Sequence, residues 1–172
     1  MGDIFLETDR LTLYRFTPAD VETILTLDSD PVVMRYVIPP RTRPEIEKYV
    51  ADVLADYDRF PGLGRWLAHE RATGRFVGIW MLKPLQETEH IEVGYRMFEE
   101  FWGRGFATEV ARALVRHGFE TVRLRQIVGI THPDNAASQH VLEKCGLQYQ
   151  RTIRLGFVEH PLRFYTIDSP TA

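Results

Sequence analysis

The sequence predicts an α/β (α+β) domain in which helices cover a mixed sheet. Three observations carry that reading. Short segments alternate apolar and polar residues. Longer segments carry apolar residues at helical spacing. Glycine or proline marks nearly every joint between them. The element order is β-α-α-β-β-β-α-β-α-β-β, and a sheet with helices laid against it is the natural way to bury so many one-sided elements. A chain of 172 residues is most simply one domain, 1–172, with enough length for a real core. It shows no internal repeat, low-complexity tract or linker.

Leu11-Thr12-Leu13-Tyr14-Arg15-Phe16 alternates and reads as the first strand. Thr17, Pro18 and Asp20 then open a helix that runs to about Leu27 and stops near Asp30-Pro31. A second helix starts at Thr42 or Pro44. Ile46, Tyr49, Val50, Val53, Leu54 and Tyr57 form its apolar stripe. Residues 66–70 and 76–82 read as antiparallel strands joined by a turn at Gly74. In 91–97, Ile91, Val93, Tyr95 and Met97 share one face, and Glu92, Gly94 and Arg96 the other. A glycine turn and a third helix follow, with Ala107, Val110, Ala111, Leu114 and Val115 in its stripe. Residues 126–131 form a further strand. A short helix from Pro133-Asp134-Asn135 ends at Gly146, and strands at 147–155 and 162–168 complete the chain.

Composition excludes several classes. A formal charge of −3 gives no general attraction to nucleic acid or to an anionic membrane. No run of about 18 apolar residues suggests a membrane span. No charged-then-apolar leader is visible, so the expected location is cytoplasmic. Cys145 is the only cysteine and reads as a small core residue rather than a nucleophile. The histidines at 69, 90, 132, 140 and 160 lack zinc-site spacing and read mostly as surface or loop residues, so no metal is expected.

The most informative stretch is Phe101-Trp102-Gly103-Arg104-Gly105-Phe106-Ala107-Thr108-Glu109. It sets a glycine turn at the start of a helix, just after a strand. Unpaired N–H groups at the positive end of a helix dipole bind phosphate or pyrophosphate. Gly103 and Gly105 let an anion approach the backbone, and Arg104 can add a charge-assisted contact. Arg112 and Arg116 fit a solvated helix face better. Neither a GxGxxG turn at a first strand nor a GxxxxGK[ST] loop is present.

Four segments in order resemble one family. Trp102-x-x-Gly105-x-Ala107 resembles the [Gln/Arg]-x-x-Gly-x-[Gly/Ala] pyrophosphate loop of the GNAT superfamily of acyl-CoA N-acyltransferases, with Trp102 at the usual Gln or Arg position. Asn135-Ala136-Ala137-Ser138-Gln139-His140-Val141-Leu142-Glu143-Lys144-Cys145-Gly146-Leu147 resembles the Asn-x-x-Ser-x-x-Val-Leu-Glu-Lys-x-Gly-Phe signature of its branch that acetylates ribosomal-protein N-termini. Glu92-Val93-Gly94-Tyr95 and Thr8-Asp9-Arg10-Leu11 resemble further segments of that branch. The resemblance implies a mostly antiparallel sheet with a splayed parallel strand pair and helices on both faces.

It also implies acetyl-CoA as cosubstrate and an amine acceptor, either a protein N-terminus or a small molecule. The expected cofactor-binding residues are Met97, Phe98 and Glu99, whose free backbone groups would pair with the pantetheine amides. To these are added Gly103, Arg104, Gly105, Phe106, Ala107 and Thr108 for the pyrophosphate, and Asn135 and Ser138 on the following helix. An N–H near Phe98 would hold the oxyanion. Glu92 is the expected base, or else one half of an ion pair on the sheet face. Ser138 would meet the leaving sulfur, because Leu142 stands where many members carry a tyrosine acid, or else it only caps its helix. Asn135 likewise reads as an N-cap or a pantetheine contact. Tyr95 reads as a core residue. Trp66, Trp80, Phe157 and Phe164 read as core or as acceptor-pocket lining. The superfamily often pairs through sheet edges or helices, which leaves a homodimer open. Two other classes remain at this point: a non-catalytic acyl-CoA sensor of the same fold, and an unrelated nucleotide-phosphate binder.

Overall fold

The computed structural model describes residues 1–170. Eight strands form one sheet in the order β1-β2-β3-β4-β5-β6-β8-β7. They are β1 (Ile4–Glu7), β2 (Leu11–Arg15), β3 (Gly64–Glu70), β4 (Phe76–Pro84), β5 (Ile91–Met97), β6 (Gln126–Thr131), β7 (Gln148–Ile153) and β8 (Leu162–Asp168). The helices are α1 (Val21–Asp28), α2 (Pro31–Met34), α3 (Arg43–Arg59), α4 (Phe106–Glu120) and α5 (Ala136–Lys144). All neighbours pair antiparallel except β5 and β6, which run parallel and meet at one register position, Glu92 opposite Val128. Past that point the two strands diverge into a V.

Alternation along the strands divides the helices between the two faces. Leu82 and Val93 are in register, and Leu82 and Ile127 pack beneath Gly118 of α4. Gly129 faces Leu142 of α5. The opposite face carries Glu92 and Arg96, and Arg96 reaches α1 and α3. One large core joins both faces. Trp66, Trp80, Phe101, Phe106 and Tyr165 are fully buried in it.

Local chemistry sets the element ends. The Thr17 N–H donates to the Asp20 carboxylate at 2.6 Å, and the Thr42 N–H to Glu45 at 2.7 Å, each closing a capping box. The α5 helix ends in a Schellman motif: Leu147 N–H donates to Leu142 O at 3.0 Å and Gly146 N–H to Glu143 O at 2.9 Å. Two elements escaped the sequence pattern. The Ile4-Phe5-Leu6 run is too short to show a period, yet it pairs with β2, and Phe5 stacks on Trp66 at 3.9 Å. The single helical turn α2 follows Asp30, whose carboxylate caps the Val32 N–H at 2.8 Å.

Candidate active site

The glycine loop leads into α4 as the sequence suggests. Gly105 is its N-cap at φ +82°, a left-handed conformation that costs a side chain about 1–2 kcal/mol. Its side of the helix end offers no capping group, and the first intrahelical bond runs from Glu109 N–H to Gly105 O. The N–H groups of Phe106, Ala107 and Thr108 are therefore without helical partners. A Cβ on Gly103 would meet nothing within 4 Å, so the loop is open to a ligand.

The Thr8-Asp9-Arg10 segment braces this loop. Thr8 Oγ1 and the Arg10 N–H both donate to one Glu109 oxygen, at 2.7 and 2.9 Å, while Arg10 Nε donates to the other at 2.7 Å. Arg10 also donates to the Arg104 carbonyl at 2.9 Å. Burial raises the Glu109 pKa, but these donors outweigh it and hold the carboxyl below its ordinary range. Arg104 itself pairs with Glu70 and stacks over Phe106. Arg112 donates to the Lys144 carbonyl and ties α4 to the end of α5, so it does more than solvate a helix face. A groove of about 830 Å³ beside Gly105 and Thr108 is lined by charges of both signs, with Arg10, Arg71, Arg112, Arg116 and Lys144 outnumbering Glu7, Asp9 and Glu109.

The expectation of free backbone groups at 97–99 needs correction. The chain turns at once into a 3-10 helix, which engages the Phe98 N–H and the carbonyls of residues 97, 98 and 99 but not the Met97 N–H. Phe98 N–H donates to Val77 O at 3.1 Å, and the Phe98 and Glu99 carbonyls accept from Phe101 and Trp102. The Met97 carbonyl accepts the Trp102 indole N–H at 3.0 Å. Phe98 is thus unable to offer its N–H to an oxyanion. Because Phe98 pairs with β4, alternation turns the backbone of Tyr95 and the N–H of Met97 toward the V. Trp102, which is nearly half exposed, thereby pins the loop to the end of β5 by a bond that the usual Gln or Arg pattern did not suggest.

On α5, the Asn135 side-chain oxygen accepts from the Ser138 N–H at 3.1 Å, which is the N-cap. The Ser138 side chain lies against the Tyr95 hydroxyl. Burial pushes Tyr95 up to about 12, against the pull of Ser138. Tyr95 stacks on Trp80 at 5.9 Å. Cys145 is pushed up to about 11 by burial, which suits a packing residue. Trp66, Trp80 and Phe164 are core residues, whereas Phe157 is exposed on the β7–β8 loop.

The opposite face carries charge in the interior. Glu92 is buried and pairs with Lys83, its cross-strand partner on β4. Arg96 is 6% exposed and forms a fork with Asp28, the fully buried last residue of α1, its second bond at 2.9 Å. Arg41 joins the same carboxylate at 2.6 Å, and Tyr49 bonds Arg96 at 3.2 Å. The sequence reading missed this network. Its only signal was Arg96 beside Glu92 on the second face of an alternating strand.

Known proteins show the same architecture. Residues 10–148 match the model of the acetyltransferase (GNAT) domain. The chain is 36% identical over 157 residues to the FsC-acetyl coenzyme A-N(2)-transacetylase of Aspergillus fumigatus, covering 86% of this chain and 66% of that protein. A crystal structure of an acetyltransferase from Agrobacterium tumefaciens superposes with a TM-score of 0.84 at 26% identity, over 98% of this chain and 96% of the other. RimL, a ribosomal L7/L12 alpha-N-protein acetyltransferase in complex with coenzyme A, gives 0.82 at 18% identity, over 99% and 100%. No helix among the described residues is long and apolar enough to cross a membrane. With a splayed parallel strand pair, a glycine loop opening α4 and a domain match over most of its length, the chain belongs to the GNAT acetyltransferases.

Proposed function

We propose that this acetyltransferase moves the acetyl group of acetyl-CoA to a primary amine, by direct attack of the amine on the thioester. One observation carries the reading. The V between β5 and β6 opens beside the three unpartnered N–H groups of Phe106, Ala107 and Thr108. An extended arm fits the gap while its pyrophosphate meets the helix end. Coenzyme A supplies the activated acyl group, and the rest falls to the chain. Tyr95 and Met97 offer backbone groups to the arm, and the Met97 N–H is the donor nearest a developing oxyanion. Ser138, beside Tyr95, serves the departing sulfur. Glu92 lies on the opposite face, where an acceptor amine would enter, with Lys83 neutralising it. The acceptor is a protein N-terminus or a small-molecule amine. Both are consistent with the named activities of similar proteins.

The first experiment is a thermal shift with acetyl-CoA, ATP and NAD, because a ligand that binds only the folded state raises its stability. A shift with acetyl-CoA alone supports the reading. A shift with ATP or NAD alone, or none at all, would sink it.

A further inference from the structure

Three segments distant in sequence bring two imidazoles together on the face that carries Glu92. His132 follows β6, His160 lies in the β7–β8 connection, and Tyr36 follows α2. The two imidazole centroids are 4.3 Å apart, and the Tyr36 ring lies 5.1 Å from His132. Alternation places them. Val128 is level with Glu92, Ile130 stands on the same face opposite Phe164, and His132 continues that row where β5 and β6 have parted. The cluster therefore stands at the mouth of the V, across the sheet from the glycine loop.

Its polar atoms are not all used. His132 Nδ1 accepts the Asp134 N–H at 3.0 Å, which leaves the ring proton on Nε2 when the ring is neutral. The Gln139 amide holds the same turn through the carbonyls of His132 and Pro133. His160 Nε2 is out of water and has no hydrogen-bond partner, although the residue as a whole is partly exposed. A buried ring nitrogen in that condition asks for a partner the folded chain does not supply. Burial, then His132, lower the His160 pKa, and Glu159 opposes them. The Asp134 carboxylate, 3.8 Å from His132, is the other charge facing the pair. Glu92, by contrast, is buried and already shares one carboxylate oxygen with Lys83.

We propose that His160, backed by His132, takes the first proton from the acceptor ammonium. This rests on the amine-acetylation reading above. The ammonium gives that proton to the imidazole, and the neutral nitrogen then forms the C–N bond as the C–S bond breaks. The electron pair leaves on sulfur, the second nitrogen proton goes to the thiolate, and the imidazolium returns its proton to water.

The test follows thiol release from acetyl-CoA from about pH 5.5 to 9, with a serine-initiated peptide, spermidine and lysine methyl ester as acceptors. His160→Asn, His160→Gln and His132→Asn are compared with Glu92→Gln, with His140→Asn on the exposed face of α5 as control. His160→Asn should lower kcat/KM on the order of 100-fold and abolish the acidic limb, with His140→Asn unchanged. An acetyl-CoA thermal shift equal to the wild type's separates lost proton transfer from misfolding. Imidazole proton NMR of the wild type needs no variant. His160 should titrate below a free imidazole and move when an acceptor that turns over is added. A retained limb and rate in both His160 variants, or an ordinary His160 titration unmoved by acceptor, would overturn the assignment and leave the acetyltransferase reading standing. Failure of the wild type to bind acetyl-CoA or to turn over any amine would overturn both.

Discussion

The two faces of the sheet at the V are built by different means. On the α4 and α5 face the site is backbone: a glycine loop, the first turn of a helix and the edge of β5. On the α1 and α3 face it is side-chain charge, set by Asp28, Arg41, Glu92, Arg96, His132 and His160 from five separate segments. A backbone site survives change of side chains, because its donors belong to every residue. A charged interior survives only while each partner is present. On the proposed function, the first face suits the part of a ligand common to a whole family, and the second suits the part that varies.

The sharpest way to break this contrast is at Asp28. Replacing it with Ala leaves Arg96 buried without its carboxylate and takes from Arg41 its ion pair, and should cost about 3–5 kcal/mol in urea unfolding. The double change Asp28→Leu with Arg96→Met should recover much of that loss. If Asp28→Ala is neutral, the charges are not a structural unit.

Glu92→Gln comes next. It keeps the shape while removing the charge, and should lower kcat on the order of 100-fold if Glu92 assists the amine. A rate within about twofold of wild type would reduce Glu92 to the ion pair with Lys83.

Gly105→Ala probes the backbone face. The left-handed φ should cost about 1–2 kcal/mol, read as a lower Tm. The tilted N–H groups should weaken acetyl-CoA by about tenfold. Asn135→Ala distinguishes cap from contact. Loss of the Ser138 bond alone costs about 1 kcal/mol of stability at unchanged acetyl-CoA Kd, whereas a weaker Kd as well means that the amide also meets the arm.

The smallest effect is on pH. The His160 pKa is lowered by burial and His132, so the unfolded chain binds this proton more readily than the native one. Its contribution to stability is whole above the ordinary imidazole range of about 6.5 and is lost as pH falls below it. Wild-type Tm should drop more steeply through that window than that of His160→Asn. Parallel curves would mean that the imidazole is not held neutral.

Much of the fold was legible because its causes are local. Capping boxes at Thr17 and Thr42, the Schellman end at Gly146 and the alternation of β5 each lie within a few residues. The glycine loop and its helix were legible for the same reason. The fate of the 97–99 backbone was not, since it depends on Val77 and on the Trp102 indole swinging back to Met97. Nor was the imidazole pair, because His132 and His160 looked like separate loop residues until the sheet brought them to 4.3 Å.

The sequence by itself determined most of the elements, the glycine loop at the start of α4 and the resemblance to an acyl-CoA-dependent family. Helix dipoles, caps and two-residue periods act over a turn or two of chain. Tertiary structure alone decided which charges would be buried together and which backbone groups stayed unpaired. Those outcomes depend on strand order and on the divergence of β5 from β6 after Glu92, and no local stretch of sequence encodes the distance between them.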